Sequence, residues 1–131
     1  MGESVQPGPG MAGVSASEFL DTAISEPSPG TALLTVRGEI DTLTAPTFTA
    51  AADELLATPA DTLVIDLTDV RFLASSGLAV LISAAHRAEE RAVRLRLVVP
   101  TRAVRRPIEI TGTGPLFDLH PDLASATGGR D

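Results

Sequence analysis

Thr62-Leu63-Val64-Ile65-Asp66-Leu67-Thr68-Asp69-Val70-Arg71-Phe72-Leu73-Ala74-Ser75-Ser76-Gly77-Leu78 frames the whole chain. Leu63-Val64-Ile65 is an unbroken apolar run between polar residues, which predicts a central strand over 62–67 covered on both faces. After a loop, Ser75-Ser76-Gly77 opens a helix whose apolar face reads Leu78, Leu81, Ile82, Ala85 and Ala92. A buried strand feeding an amphipathic helix is the repeating unit of an α/β fold.

Upstream, Thr44 is placed to cap a helix over 44–57, with Pro46 in the first turn, where a missing N–H costs little. Phe48, Ala51, Ala52, Leu55 and Leu56 give this helix one buried face, and Pro59 stops it. Phe19 to Ile24 and Leu33 to Val36 are strand candidates, joined through Pro27-Ser28-Pro29-Gly30 as an antiparallel hairpin. Downstream, Val93, Leu95, Leu97 and Val99 alternate with Arg94 and Arg96, a strand with one wetter face. Thr101 to Ile110 reads as a third helix, kinked or delayed by Pro107 and ended by Gly112. Leu116 to Leu119 is a short final strand, and Pro121 to Ala126 a last helical turn or two. The expected fold is α/β: an N-terminal hairpin, then alternating helices and strands in a mixed sheet with helices packed on it.

At 131 residues the chain has room for one domain, assigned to residues 17–127. Residues 1–16, rich in Gly, Pro and Ser, read as a flexible tail, and 128–131 as a frayed C-terminal tail. Hydrophobic residues at 44% can fill a core, and no apolar run reaches the roughly 20 residues of a membrane span. The first residues show neither a basic-then-apolar leader nor the Ser or Thr of a myristoylation signal, so a cytoplasmic location is expected. Cysteine is absent, which excludes disulfides, thiolate metal sites and a cysteine nucleophile. Two histidines, His86 and His120, are too few for a histidine-rich metal site, and no metal or cofactor is expected. Residues 1–72 carry a net −9 and residues 73–131 a net +2, giving −7. With that balance, and four Phe but no Trp or Tyr, nucleic acid is a poor partner.

A right-handed crossover from strand 31–37 through helix 44–57 to strand 62–67 makes the two strands parallel. The segments leaving their carboxyl ends then share one rim, where open sheets carry their functional surface. Glu39 and Asp41 in one loop, and Ser75 beyond the other, should be neighbours there.

Two segments also carry a family resemblance. Gly38-Glu39-Ile40-Asp41 with Thr44-Ala45-Pro46 resembles a signature of the STAS domain, and Asp66 to Leu78 resembles that domain's central D-L-x-x-V-x-F-[LIM]-D-S-[ST]-G-L motif. Leu97 to Phe117, with Arg105-Arg106, Ile108 and Thr111-Gly112, fits the family's closing helix. The resemblance implies a bacterial anti-sigma-factor antagonist. Such a protein captures an anti-sigma factor, a serine kinase of ATPase fold, and so releases the sigma factor. The kinase phosphorylates the first serine of the motif, and a serine phosphatase restores it. By position Ser75 is then the phosphoacceptor, and Glu39, Asp41, Thr44, Ser75, Ser76 and Gly77 form the partner surface. One departure stands out: Ala74 occupies the position where the family carries Asp.

Ser75 also has a plain reading as a helix N-cap, which is compatible with a phosphate site, since both use free N–H groups. Asp41 and Glu39 read either as solvated loop residues or as contacts; as contacts, Asp41→Ala should leave thermal stability nearly unchanged. Hydrolysis by Ser75 with His86 fails on distance, because His86 lies about 16 Å further along the same helix. A third reading is a constitutive STAS interaction module of a transport or stress complex, without phosphorylation, and Ala74 favours it.

Overall fold

The computed structural model describes residues 20–127; both predicted tails and Phe19 lie outside the described residues. Five strands form one sheet in sequence order: β1 (Leu20–Ser28), β2 (Thr31–Ile40), β3 (Thr62–Leu73), β4 (Arg94–Val98) and β5 (Asp118–His120). β1 and β2 are antiparallel, joined by Pro29-Gly30, where the positive φ of Gly30 (81°) suits glycine. The remaining pairs are parallel, so the mixed sheet expected from the sequence is present.

Each parallel step needs a crossover, supplied by α1 (Ala45–Leu56), α2 (Ser75–Glu90) and α3 (Arg102–Ile110). With neighbouring strands in sequence order, crossovers of one hand place these helices on the same face, and α1 packs on α2 and α2 on α3. The main core lies between them and the sheet, with Leu34, Leu63, Ile65 and Leu97 against Phe48, Leu55, Leu81, Val104 and Ile108. The opposite face carries a smaller cluster, Leu33, Val64 and Val98 under Ala126 of the short α4 (Leu123–Ala126). β3 is thus covered on both faces, as its apolar run predicts. Arg96, on the face read as wetter, reaches α4, donating from Nη1 to the Ala126 carbonyl at 3.0 Å.

Several boundaries differ from the sequence reading. β3 does not end at residue 67 but runs to Leu73, held by β2 through Gly38↔Val70, Glu39↔Phe72 and Ile40↔Leu73. Its last part looks loop-like because β4 stops opposite Asp66, leaving Thr68, Asp69 and Arg71 exposed. Glu39 accordingly lies in strand β2, not in a loop. Ala92 is not on the apolar face of α2: the helix ends at Glu90, and Ala92 is exposed at φ 59°, while Ala84 and Ala88 are buried instead. α3 passes through Pro107 as one helix. Ala103, the residue left without that donor, is solvent-exposed, so water can stand in for it. The final strand sits at 118–120, because Gly114–Leu116 forms a 3₁₀ turn. No helix among the described residues is long and apolar enough to cross a membrane.

Candidate functional site

The carboxyl ends of β2 and β3 meet at one rim. Ile40 pairs with Leu73, and the next N–H, that of Ala74, donates to the Ile40 carbonyl at 2.8 Å. Asp41 therefore leaves β2 beside the point where α2 begins. The neighbourhood expected for Glu39, Asp41 and Ser75 has a backbone basis.

The segment after β2 is knitted by its own polar groups. Asp41 Oδ1 accepts from the N–H of Leu43 at 2.9 Å and of Thr44 at 3.0 Å. Thr44 Oγ1 donates to the Glu39 carbonyl at 2.8 Å and accepts from the Asp41 N–H at 2.9 Å. Thr44 thus does not cap α1 with its side chain; its backbone is helical and its hydroxyl faces back into the turn. The side chain of Thr44 is fully buried, so the expected partner contact there is corrected: Thr44 shapes the rim from beneath. Asp41 is half-buried, and its carboxylate holds the loop. Glu39 is half-buried and stands 3.9 Å from Arg71 across the adjoining strand.

At the start of α2, the N-cap is Ala74, not Ser75. Ala74 has an extended backbone and no capping side chain; its carbonyl accepts from the N–H of Gly77 and Leu78, both at 3.0 Å. Ser75 is the first helical residue and is exposed. Ser76 is half-buried, and its Oγ is sealed from solvent with no hydrogen-bond partner. The two serines are therefore not equivalent: one hydroxyl is accessible and the other is not. Gly77 is buried against Ile40 and Leu73, so it too drops out of the expected contact surface and serves packing. The first-turn N–H groups of Ser75 and Ser76 precede any i−4 carbonyl of their own helix, which makes this end receptive to negative charge.

Elsewhere, His86 is exposed on α2. His120 sits between Asp118, with Nε2 to Oδ1 at 3.0 Å, and Ser125, with Nδ1 to Oγ at 2.7 Å. Sequence reading missed this chain of three because Ser125 lies on α4, whose return over β5 no local pattern announces. The chain is incomplete as a relay: Nε2 lies within ion-pair distance of Asp118 but makes no hydrogen bond among the described residues, and the Ser125 N–H is already given to Asp122 at 2.8 Å. Its evident effect is to fasten α4. A cleft of about 710 Å³ lies between Asp21, Arg37, Asp69, Arg71 and Thr101 and includes neither Ser75 nor Asp41.

The STAS domain family matches residues 22–126. The anti-sigma-F factor antagonist RsfB of Mycobacterium tuberculosis is 33% identical over 121 residues, covering 89% of this chain and 98% of RsfB. The anti-sigma-F factor antagonist RsfA of the same organism is 34% identical over 96 residues, covering 72% of this chain and 75% of RsfA. The crystal structure of an anti-sigma factor antagonist from Mycobacterium paratuberculosis superposes with a TM-score of 0.75 at 35% identity, covering 88% of this chain and 97% of that one. Sheet order, rim motifs and sequence identity agree: the chain belongs to the STAS domain family.

Proposed function

We propose that this protein is an anti-sigma-factor antagonist: it captures an anti-sigma factor of the serine-kinase, ATPase-fold class, and the sigma factor is thereby released. The observation that carries the reading is Ser75, an exposed hydroxyl at the first helical position of α2, on the rim that also presents Asp41 and Glu39. Relatives at 33–35% identity named as antagonists over nearly their whole length support it. The domain assigned to residues 17–127 acts in the cytoplasm by binding, with no catalysis of its own. Phosphate on Ser75 would gain about 0.3–2 kcal/mol from the helix end, too little to refold the chain. It adds about −1.5 to −2 charges to a surface that is docked, where each 1.4 kcal/mol of repulsion is about tenfold in affinity. The switch acts at the interface, and a serine phosphatase resets it.

A second reading, a constitutive interaction module, is favoured by one feature: Ala74 leaves the cap without a carboxylate beside the acceptor serine. Incubation with the purified anti-sigma factor and ATP, followed by phosphopeptide mapping, separates the two. Wild type and Ser76→Ala should be modified on Ser75, Ser75→Ala should not, and Ser75→Glu should lose capture in calorimetric titration. Phosphate on Ser76 would refute the site, and tight binding without phosphate on either serine would establish the constitutive module. Ester or nucleotide hydrolysis by the protein alone, lost in Ser75→Ala, would overturn the non-catalytic reading.

A further inference from the structure

Beyond β4, the free flank of the last part of β3 is covered by α3, and the two do not close completely. Between Phe72 and Leu73 on one side and Ala103, Arg106, Pro107 and Ile110 on the other runs an apolar trough of about 430 Å³. Positions 103, 106, 107 and 110 fall on one side of α3, while Val104 and Ile108 face the core. Phe72 is 51% exposed and Ile110 69%, large apolar surfaces that the described elements leave open. Leu73, which lines the trough, is also the residue against which Gly77 packs, so the trough adjoins the start of α2.

The charged residues that line it are both basic, while Glu39, opposite Phe72 on the neighbouring strand, is engaged with Arg71. Arg102 and Arg106 line the trough, and neither forms an ion pair among the described residues. This stands out on a chain of net −7. An exposed apolar stripe edged by arginines fits an amphipathic segment whose apolar side chains enter the trough and whose carboxylates reach the guanidinium groups.

We propose that the trough between Phe72 and α3 is a second contact region for the anti-sigma factor, receiving an acidic amphipathic helix of that protein beside the Ser75 rim. This rests on the antagonist reading and specifies what the partner brings to it. Docking here places the partner beside the start of α2 without using the Ser75 hydroxyl itself. Loss of the trough should therefore weaken capture without preventing modification of Ser75.

The probe is the purified anti-sigma factor from the same organism, titrated calorimetrically into wild type, Ile110→Ser, Arg106→Glu and Ser75→Glu, with thermal melts of each. Ile110→Ser and Arg106→Glu should each weaken binding about tenfold or more at unchanged melting temperature. Hydrogen exchange of the complex should protect 70–73 and 102–111. Arg106→Glu should also flatten the dependence of affinity on salt. Wild-type affinity in both trough variants, with Ser75→Glu defective, would overturn the trough and leave the antagonist reading standing. Absence of any binding by wild type would overturn both. A wild-type dimer in sedimentation that Ile110→Ser converts to monomer, with capture unaffected, would make a second copy of this chain the occupant and reject the proposal.

Discussion

Gly77 and Ile40 meet where α2 crosses the end of β2: a Cβ added at Gly77 would overlap Ile40 Cγ2 and stand 2.8 Å from Leu73 Cδ1. No φ constraint is involved, so the requirement for glycine here is one of space. α2 can lie this low only because residue 77 has no side chain, and its first turn, with Ser75, is thereby set at the rim.

Gly77→Ala should destabilise the fold by about 1–3 kcal/mol, the usual range for overpacking a closed site. Because Ile40, the nearer neighbour, is a fully buried strand side chain, α2 must lift, and capture of the partner should fall as well. Denaturant unfolding measures the first effect and calorimetry the second. Unchanged stability would mean that Ile40 and Leu73 yield freely.

Asp41→Ala removes the acceptor for two backbone N–H groups, so the expectation of near-unchanged stability drawn from the sequence is corrected. A loss of about 1–2 kcal/mol is expected, with Asp41→Asn retaining most of the stability because its carbonyl can accept the same pair. Equal melting temperatures for Asp41→Ala and wild type would show that water replaces the carboxylate without cost.

Ala74→Asp supplies the missing side-chain cap of α2. Stability should rise by about 1 kcal/mol, since Asp is among the strongest N-cap residues and Ala among the weakest. The same variant should speed phosphate addition to Ser75 by its kinase. Thermal melts and a time course of phosphorylation read the two effects separately.

Ala92→Gly tests the other end of α2. The Val93 N–H donates to the Ala88 carbonyl at 3.0 Å across a left-handed residue at φ 59°, a helix stop that favours glycine. Relieving the Cβ penalty should stabilise the protein by about 1 kcal/mol, offset in part by the greater freedom of glycine in the unfolded chain. A lower melting temperature for Ala92→Gly would show that the unfolded-state effect dominates.

Local chemistry determined much of this protein without reference to its fold. The spacing of Phe48, Ala51, Ala52, Leu55 and Leu56 is itself a helix face, and all five are buried. The Leu63-Val64-Ile65 run is a strand needing cover on both sides, and both covers exist. Ser75 was legible as a helix start because Ser and Gly interrupt an apolar pattern there. What the sequence could not decide was which polar residues face outward. Thr44 and Asp41 look like surface groups in one dimension, whereas the greater accessibility of Ser75 over Ser76 was already expected from their positions at the helix start. Whether each meets solvent, a backbone donor or a sealed wall depends on how two strands end side by side. The same holds for β3: Thr68, Asp69 and Arg71 carry no strand pattern, because their extended backbone is set by the partner strand β2 and not by burial of their side chains. Tertiary structure alone also made Gly77 a close-packing position and left Phe72 half exposed, since each outcome depends on how closely a remote element approaches.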